Sequence, residues 1–264
     1  MSPSGIRWDA QQYSRFKAER SQPFHDLLAR VPDRAVERAA DLGCGDGELT
    51  RTLLQRWPGA EVWGVDSSEE MLERALASPA PPNLRFVRED LRTWRPPRPL
   101  DLIISNAVLQ WVPDHAGLVG ALVDRLAPEG VLAVQVPNNR DEAAHRILEG
   151  LVGEAPWAGR LRGVHRPAVE SPAFYEERLG ALGFEIRIWE TVYGHRLAGP
   201  AEVIEWLKGT TLRPILTALS AADAAGFLAA LNERVAPAYR PEAEGIVFPF
   251  RRLFFVAQRK RDRS

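Results

Sequence analysis

At 264 residues the chain has room for one α/β domain, with or without an elaborated cap. Folding at this length buries about 75% of the unfolded surface, so neither a disulfide nor a metal is needed to hold it. Hydrophobic residues at 45%, charged residues at 26% and a net charge of −1 are ordinary for a globular protein. With no basic stripe interleaved with aromatics, they give no electrostatic reason to expect nucleic acid. Cys44 is the only cysteine, which excludes intramolecular disulfides. No run approaches the roughly 20 apolar residues of a membrane helix, and the N-terminus lacks the apolar core of a signal peptide, so a cytoplasmic location is expected.

Strand-like runs recur at 38–42, 61–65, 84–87, 100–104 and 130–136, with helical patterns starting near Glu48, Ser68 and His115 between them. This alternation predicts a parallel sheet with helices on both faces. Ser67-x-x-Glu70 reads as a capping box for a helix over 69–76, which Pro79-Ala-Pro-Pro82 stops. Asp114-His115 reads as a helix-starting turn rather than a catalytic pair. Beyond Pro137 the pattern changes. Ser171-Pro172 caps a helix over 173–182, residues 184–192 alternate as a strand, and 201–219 and 221–234 read as two helices, the second capped by Ser220. Residues 252–257 form a last strand. The expectation is a seven-stranded, mostly parallel sheet with a helical cap inserted in the C-terminal half.

The chemistry concentrates in Asp41-Leu-Gly43-Cys-Gly45-Asp-Gly47, at the end of the first strand. Alternating glycines permit a tight turn that a ligand can approach closely. A dinucleotide fingerprint needs G-x-G-x-x-G, but position 48 is Glu, and no Gly-Lys-Ser/Thr follows for a P-loop. Asp41 would repel a pyrophosphate and attract a cationic ligand. Cys44 is read as a small packing residue in preference to a reactive thiol. Asp66 ends the second strand, where it can accept both hydroxyls of a ribose, a feature shared by dehydrogenases and methyltransferases. Glu89-Asp90 follows the third strand and Ser105-Asn106-Ala107 the fourth, so all four markers fall at carboxyl ends of strands.

Together these residues resemble a class I S-adenosylmethionine-dependent methyltransferase over about residues 35–137, which implies a Rossmann-like core. By that resemblance, Asp41, Gly43, Gly45 and Gly47 hold the methionine part, Asp66 the ribose, and Asp90 with Leu91 the adenine, while Asn106 completes the cofactor set. Met71 either packs on the adenine face or is a helix core residue. Further stretches are similar to the trans-aconitate 2-methyltransferases: Trp8-Asp-x-x-x-Tyr13-x-x-Phe16-x-x-Glu19-Arg20-Ser21-x-Pro23, residues 105–115, Gln135-Val-Pro-Asn138, residues 206–214 and residues 248–256. Asp46 departs from that family, where proline is expected.

The resemblance implies methyl transfer to a carboxylate, with S-adenosylhomocysteine as the other product. No residue is assigned as general acid or base, since the substrate carboxylate is ionised at neutral pH. Trp8, Tyr13, Phe16 and Trp111 are assigned to closing over the reacting groups, and Arg20, Arg196, Arg213 and Arg251 to the substrate's carboxylates. The implied layout is a lid at 1–30, a cofactor-binding core at 31–137, a cap at 138–250 containing the sixth strand at 184–193, and a last strand with a basic tail at 251–264. The alternatives are a methyltransferase for another small acid, a non-catalytic cofactor-binding protein, and an NAD-dependent dehydrogenase.

Overall fold

In the computed structural model residues 17–241 and 243–260 are described, with side chains from Ser21. The first five strands follow their apolar runs: β1 (Arg38–Leu42), β2 (Glu61–Asp66), β3 (Leu84–Arg88), β4 (Leu100–Asn106) and β5 (Leu126–Pro137). They pair in parallel, β3–β2–β1–β4–β5. β7 (Ile246–Arg259) and β6 (Phe184–Leu197) extend the order to β3-β2-β1-β4-β5-β7-β6. Strands buried on both faces read as continuous rather than alternating hydrophobic runs. Leu42, Val65, Ile103 and Val134 accordingly have no exposed surface.

The helices are α1 (Lys17–Arg30), α2 (Glu48–Arg56), α3 (Glu69–Ala77), α4 (His115–Val123), α5 (Ala143–Val152), α6 (Pro172–Ala181), α7 (Pro200–Lys208), α8 (Arg213–Ala218) and α9 (Ala221–Val235). Among the described residues the chain divides into two compact units. One holds Arg20–Pro137, Ala168–Thr191 and residues 253–260; the other holds residues 17–19, Asn138–Pro167 and Val192–Arg252. Each has its own apolar core. The first centres on Leu42, Val65, Ile103, Val134, Tyr175 and Phe255, and the second on Leu148, Val203, Trp206, Leu231 and Phe248. No described helix is long and apolar enough to cross a membrane.

Several sequence expectations are corrected. The single helix over 201–219 is two helices, because Gly209 ends α7 and Pro214, in the first turn of α8, has no N–H to continue the ladder. Thr210 instead turns its hydroxyl back to the Trp206 carbonyl at 3.3 Å. Ser68, not Ser67, caps α3, accepting the Met71 N–H at 3.3 Å. Helix α5 was not anticipated; the Glu142 carboxylate caps it, accepting from the Ala144 N–H at 2.9 Å. Strands β6 and β7 run well past their expected ends. The predicted caps Ser171 and Ser220 hold, accepting from the Phe174 and Asp223 N–H groups.

Asp114 caps α4, as the helix-starting turn predicted. His115 beside it is buried: its Nε2 meets the Leu109 carbonyl at 2.9 Å and its Nδ1 meets the Tyr175 hydroxyl at 2.6 Å. A ring nitrogen facing a carbonyl must donate, so in the neutral ring Nδ1 accepts from Tyr175. Tyr175→Phe keeps the ring that packs on Phe255 at 4.8 Å but leaves that nitrogen buried and unpaired. Chemical denaturation is expected to show a loss of about 1–3 kcal/mol; an unchanged midpoint would count against the bridge.

Candidate functional site

The Asp41–Gly47 loop is pinned by its own backbone. The Gly43 and Cys44 N–H groups both donate to the Val65 carbonyl, at 2.7 and 3.1 Å, and the Gly47 N–H donates to the Cys44 carbonyl at 3.0 Å. All three glycines take positive φ, 81°, 56° and 71°. Their surroundings differ. A Cβ at Gly43 would lie 2.2 Å from Val108, and one at Gly47 would lie 2.4 Å from the Phe86 ring. At Gly45 the contact is only the Met71 methyl, at 3.1 Å. Two of the glycines therefore let the loop pack on its neighbours, and Gly45 carries its accessible bend.

Two carboxylates organise this loop. Asp41 is buried, and its Oδ2 accepts the Thr50 hydroxyl at 2.6 Å. Burial raises its pKa to about 7, against the opposing hydrogen bond from Thr50 and with help from nearby Asp66. Asp66 accepts the Gly45 N–H at 2.9 Å through Oδ2 and the Ser68 N–H at 2.8 Å through Oδ1. Burial pushes its pKa up too, partly offset by these backbone bonds. Asp66 thus ties the glycine loop to the start of α3 and keeps lone pairs for a ligand. Cys44 is buried, and burial with the adjacent Asp41 and Asp66 charges drives its thiol pKa far up. Such a thiol stays protonated, in keeping with a packing role rather than a reactive one.

After β3, Arg92 grips the Asp90 carboxylate with Nε bonds of 3.0 Å to both oxygens, holding its carboxyl below the usual range. Leu91 is buried in the core. The sequence did not flag Arg125, which is also buried and fixes this loop by donating to the Leu91 and Arg92 carbonyls at 2.7 and 2.9 Å. Asn106 ends β4 half-buried, and its Oδ1 has no partner. Asp41, Gly43, Gly45, Gly47, Asp66, Met71, Asp90, Leu91 and Asn106 all lie in the first compact unit, around the ends of β1 to β4 and the start of α3.

The other candidates scatter. Trp8, Tyr13 and Phe16 lie outside the described residues, and of Arg20 only the helical backbone is described. Trp111 is half-buried in a short 3₁₀ turn, Leu109–Trp111. Arg196 is exposed and pairs with Glu244 at 3.5 Å. Arg213 is half-buried at the start of α8. Arg251 is exposed, its N–H donating to the Asn139 Oδ1 at 2.6 Å. The next residue, Arg252, is buried over the Phe250 ring at 4.4 Å. Strand alternation explains this: Ile246, Phe248, Phe250 and Arg252 share the buried face. That period was legible in Ile-Val-Phe-Pro-Phe.

Residues 14–187 match the family described as "Methyltransferase domain". The chain is 49% identical to a trans-aconitate 2-methyltransferase of Streptomyces avermitilis, covering 96% of this chain and 97% of that one. It belongs to the trans-aconitate 2-methyltransferase family. An enzyme of the same name from Rhizobium meliloti is 44% identical over 96% of this chain and 99% of its own. The fold is shared with a phosphoethanolamine N-methyltransferase of Haemonchus contortus, solved with S-adenosylhomocysteine, at a TM-score of 0.55 and 17% identity. That alignment covers 91% of this chain and 53% of the longer one.

For a member of the trans-aconitate 2-methyltransferase family, the residues at the strand ends fit a cationic adenosine-bearing ligand. An accessible bend at Gly45 adjoins buried Asp41, half-buried Asp66 and an unpartnered acceptor on Asn106. An ammonium beside Asp41, which S-adenosylhomocysteine carries although it lacks the sulfonium, would favour the ionised form, so affinity is expected to rise with pH through about 7. Calorimetry with S-adenosylhomocysteine is expected to show binding about tenfold tighter at pH 8 than at pH 6. Asp41→Asn should flatten that dependence and weaken binding; a flat wild-type profile would contradict the assignment. For the ligand-free protein the sign is opposite. A raised carboxyl pKa stabilises the fold fully below the ordinary value of 3.8, and that stability is lost as pH climbs to about 7.

Proposed function

We propose that the protein transfers the methyl group of S-adenosylmethionine to a carboxylate of trans-aconitate, giving a monomethyl ester and S-adenosylhomocysteine. The observation that carries this reading is the extent of the match. At 49% identity over 96% of the chain, the relationship reaches both compact units, not the nucleotide loop alone. The acidic strand ends support the same cofactor.

Asp41 with the Gly43–Gly47 bend would hold the methionine part, Asp66 the ribose hydroxyls, and Asp90 with Leu91 the adenine, with Met71 against its face. When bound, the cofactor supplies an electrophilic methyl group on a positively charged sulfur. A carboxylic acid of pKa near 4 is ionised at neutral pH, so the chain needs no general base. Of the histidines, His115 is held between Leu109 and Tyr175, and His145 sits against Glu142 at 3.1 Å. What the residues contribute is alignment of the acceptor oxygen and exclusion of water from it.

Arginine suits a polycarboxylate because its planar fork donates two parallel hydrogen bonds. Arg20 and half-buried Arg213 are the stronger proposals for this role. Exposed Arg196, already paired with Glu244, and exposed Arg251 are the weaker. Trp8, Tyr13 and Trp111 are proposed to cover the reacting groups. A methyltransferase for another small acid is the second reading, since the same cofactor residues would serve it.

The test is release of S-adenosylhomocysteine with trans-aconitate, cis-aconitate, citrate and isocitrate. The proposal predicts turnover with trans-aconitate; turnover with another acid alone would replace it by the second reading. Arg20→Ala is expected to raise the KM for the acid at least tenfold, while cofactor affinity changes less than twofold. An unchanged KM would remove Arg20 from the substrate set.

A further inference from the structure

Gln135 is wholly buried near the carboxyl end of β5, and neither its amide nitrogen nor its amide oxygen has a hydrogen-bond partner. Its backbone is fixed, the carbonyl accepting the Ala107 N–H at 2.9 Å. A carboxamide removed from water with nothing to bond carries a free-energy penalty that a methionine there would avoid. Asn106, its register partner on β4, likewise buries an unpartnered Oδ1. Next to Asn106, Ala107 holds a φ of 58°, costly for a residue with a Cβ. The Gln110 amide clamps that turn, donating to the Ala107 carbonyl at 2.7 Å. Backbone strain, the unpartnered Gln135 amide and the unpartnered Asn106 Oδ1 thus meet on adjacent strand ends.

The register says which part of the reaction they face. Asp41 pairs with Ile104, and Ile104 with Ala133, so these three share one sheet face. Asn106 and Gln135 lie two residues further along the same face, about 6.6 Å toward the carboxyl end. On the reading above, adenine, ribose and methionine fall at β3, β2 and β1, in the spatial order of the strands. The next positions in that order are β4 and then β5. Gln135 is therefore about 9.6 Å beyond Asp41 across the sheet, on the side away from the ribose. That is where the methyl acceptor must arrive. A neutral amide also suits the task, because an arginine so close would repel the cationic sulfur.

We propose that Gln135 is a substrate-binding residue, its amide nitrogen donating to the carboxylate that accepts the methyl group, with Asn106 beside it. Held by one oxygen, the carboxylate presents the other to the methyl carbon. A C–O bond forms, the C–S bond breaks with its electron pair going to sulfur, and no proton moves. The assignment rests on the carboxyl-methyltransferase reading above.

The test compares wild type with Gln135→Met and Gln135→Glu in three measurements: affinity for S-adenosylhomocysteine, the thermal shift that trans-aconitate adds to that complex, and kcat/KM. Gln135→Met should melt no lower than wild type and bind S-adenosylhomocysteine within about twofold, yet lose the trans-aconitate shift and about 10–100-fold in kcat/KM. Gln135→Glu, which sets a like charge against the acid, should fall further. Retained shift and kcat/KM in the methionine variant would overturn the proposal. So would a rise in S-adenosylhomocysteine Kd that accounts for the lost activity, which would place Gln135 on the cofactor. If the methionine variant does not fold, Gln135→Asn is read by the same criteria. Wild type that binds S-adenosylhomocysteine but gains no shift from trans-aconitate refutes the functional reading itself, and the proposal falls with it.

Discussion

The structure turns on two carboxylates at the ends of neighbouring parallel strands, Asp41 held out of water and Asp66 half-buried. Burial raises the Asp41 pKa from 3.8 to about 7, which corresponds to about 4 kcal/mol against its charged form. Asp66 feels the same penalty, and its bonds to the Gly45 and Ser68 N–H groups offset part of it. A fold that keeps such groups gains a demand for a positive ligand. A pyrophosphate there would deepen the penalty, and a sulfonium with an ammonium would relieve it. Of the two, Asp41 is the one that bears on the choice between a dinucleotide and S-adenosylmethionine, since an acid ending the second strand would serve a ribose in either.

The glycine loop serves that electrostatics by packing. Gly43 and Gly47 let Val108 and Phe86 close on the loop, and Gly45 donates its N–H to Asp66. Across the sheet the polar groups then change character: Asp90 just after β3, Asp66 on β2, Asp41 on β1, and neutral amides on β4 and β5. The acidic positions suit a cation-bearing adenosine. The neutral ones suit an anion that must approach a positive sulfur without a competing cation beside it. A reaction between an ionised acid and an activated methyl group needs little else from the chain than this ordering.

The parallel half of the fold was legible because each strand is a short apolar run bounded by turn residues, and strand-end acids mark the ligand edge by position alone. The second half was less legible. Gly209 and Pro214 split a helix whose apolar pattern runs through the break, and Glu142 caps α5 with a side chain that sequence spacing did not single out. Strand facing, which burial decides, was harder to read. Arg251 and Arg252 are adjacent, and only the strand's facing separates the exposed one from the buried one. Gln135 belonged to a recognisable stretch, but its importance lies in missing hydrogen bonds, which composition cannot reveal.

The most direct measurement follows the fate of the methyl group. With S-adenosylmethionine carrying a ¹³C-labelled methyl and trans-aconitate as acceptor, NMR of the product should show one new methoxy resonance correlated with a carboxyl carbon. Label attached to carbon, or no label transferred to the acid, would contradict the account.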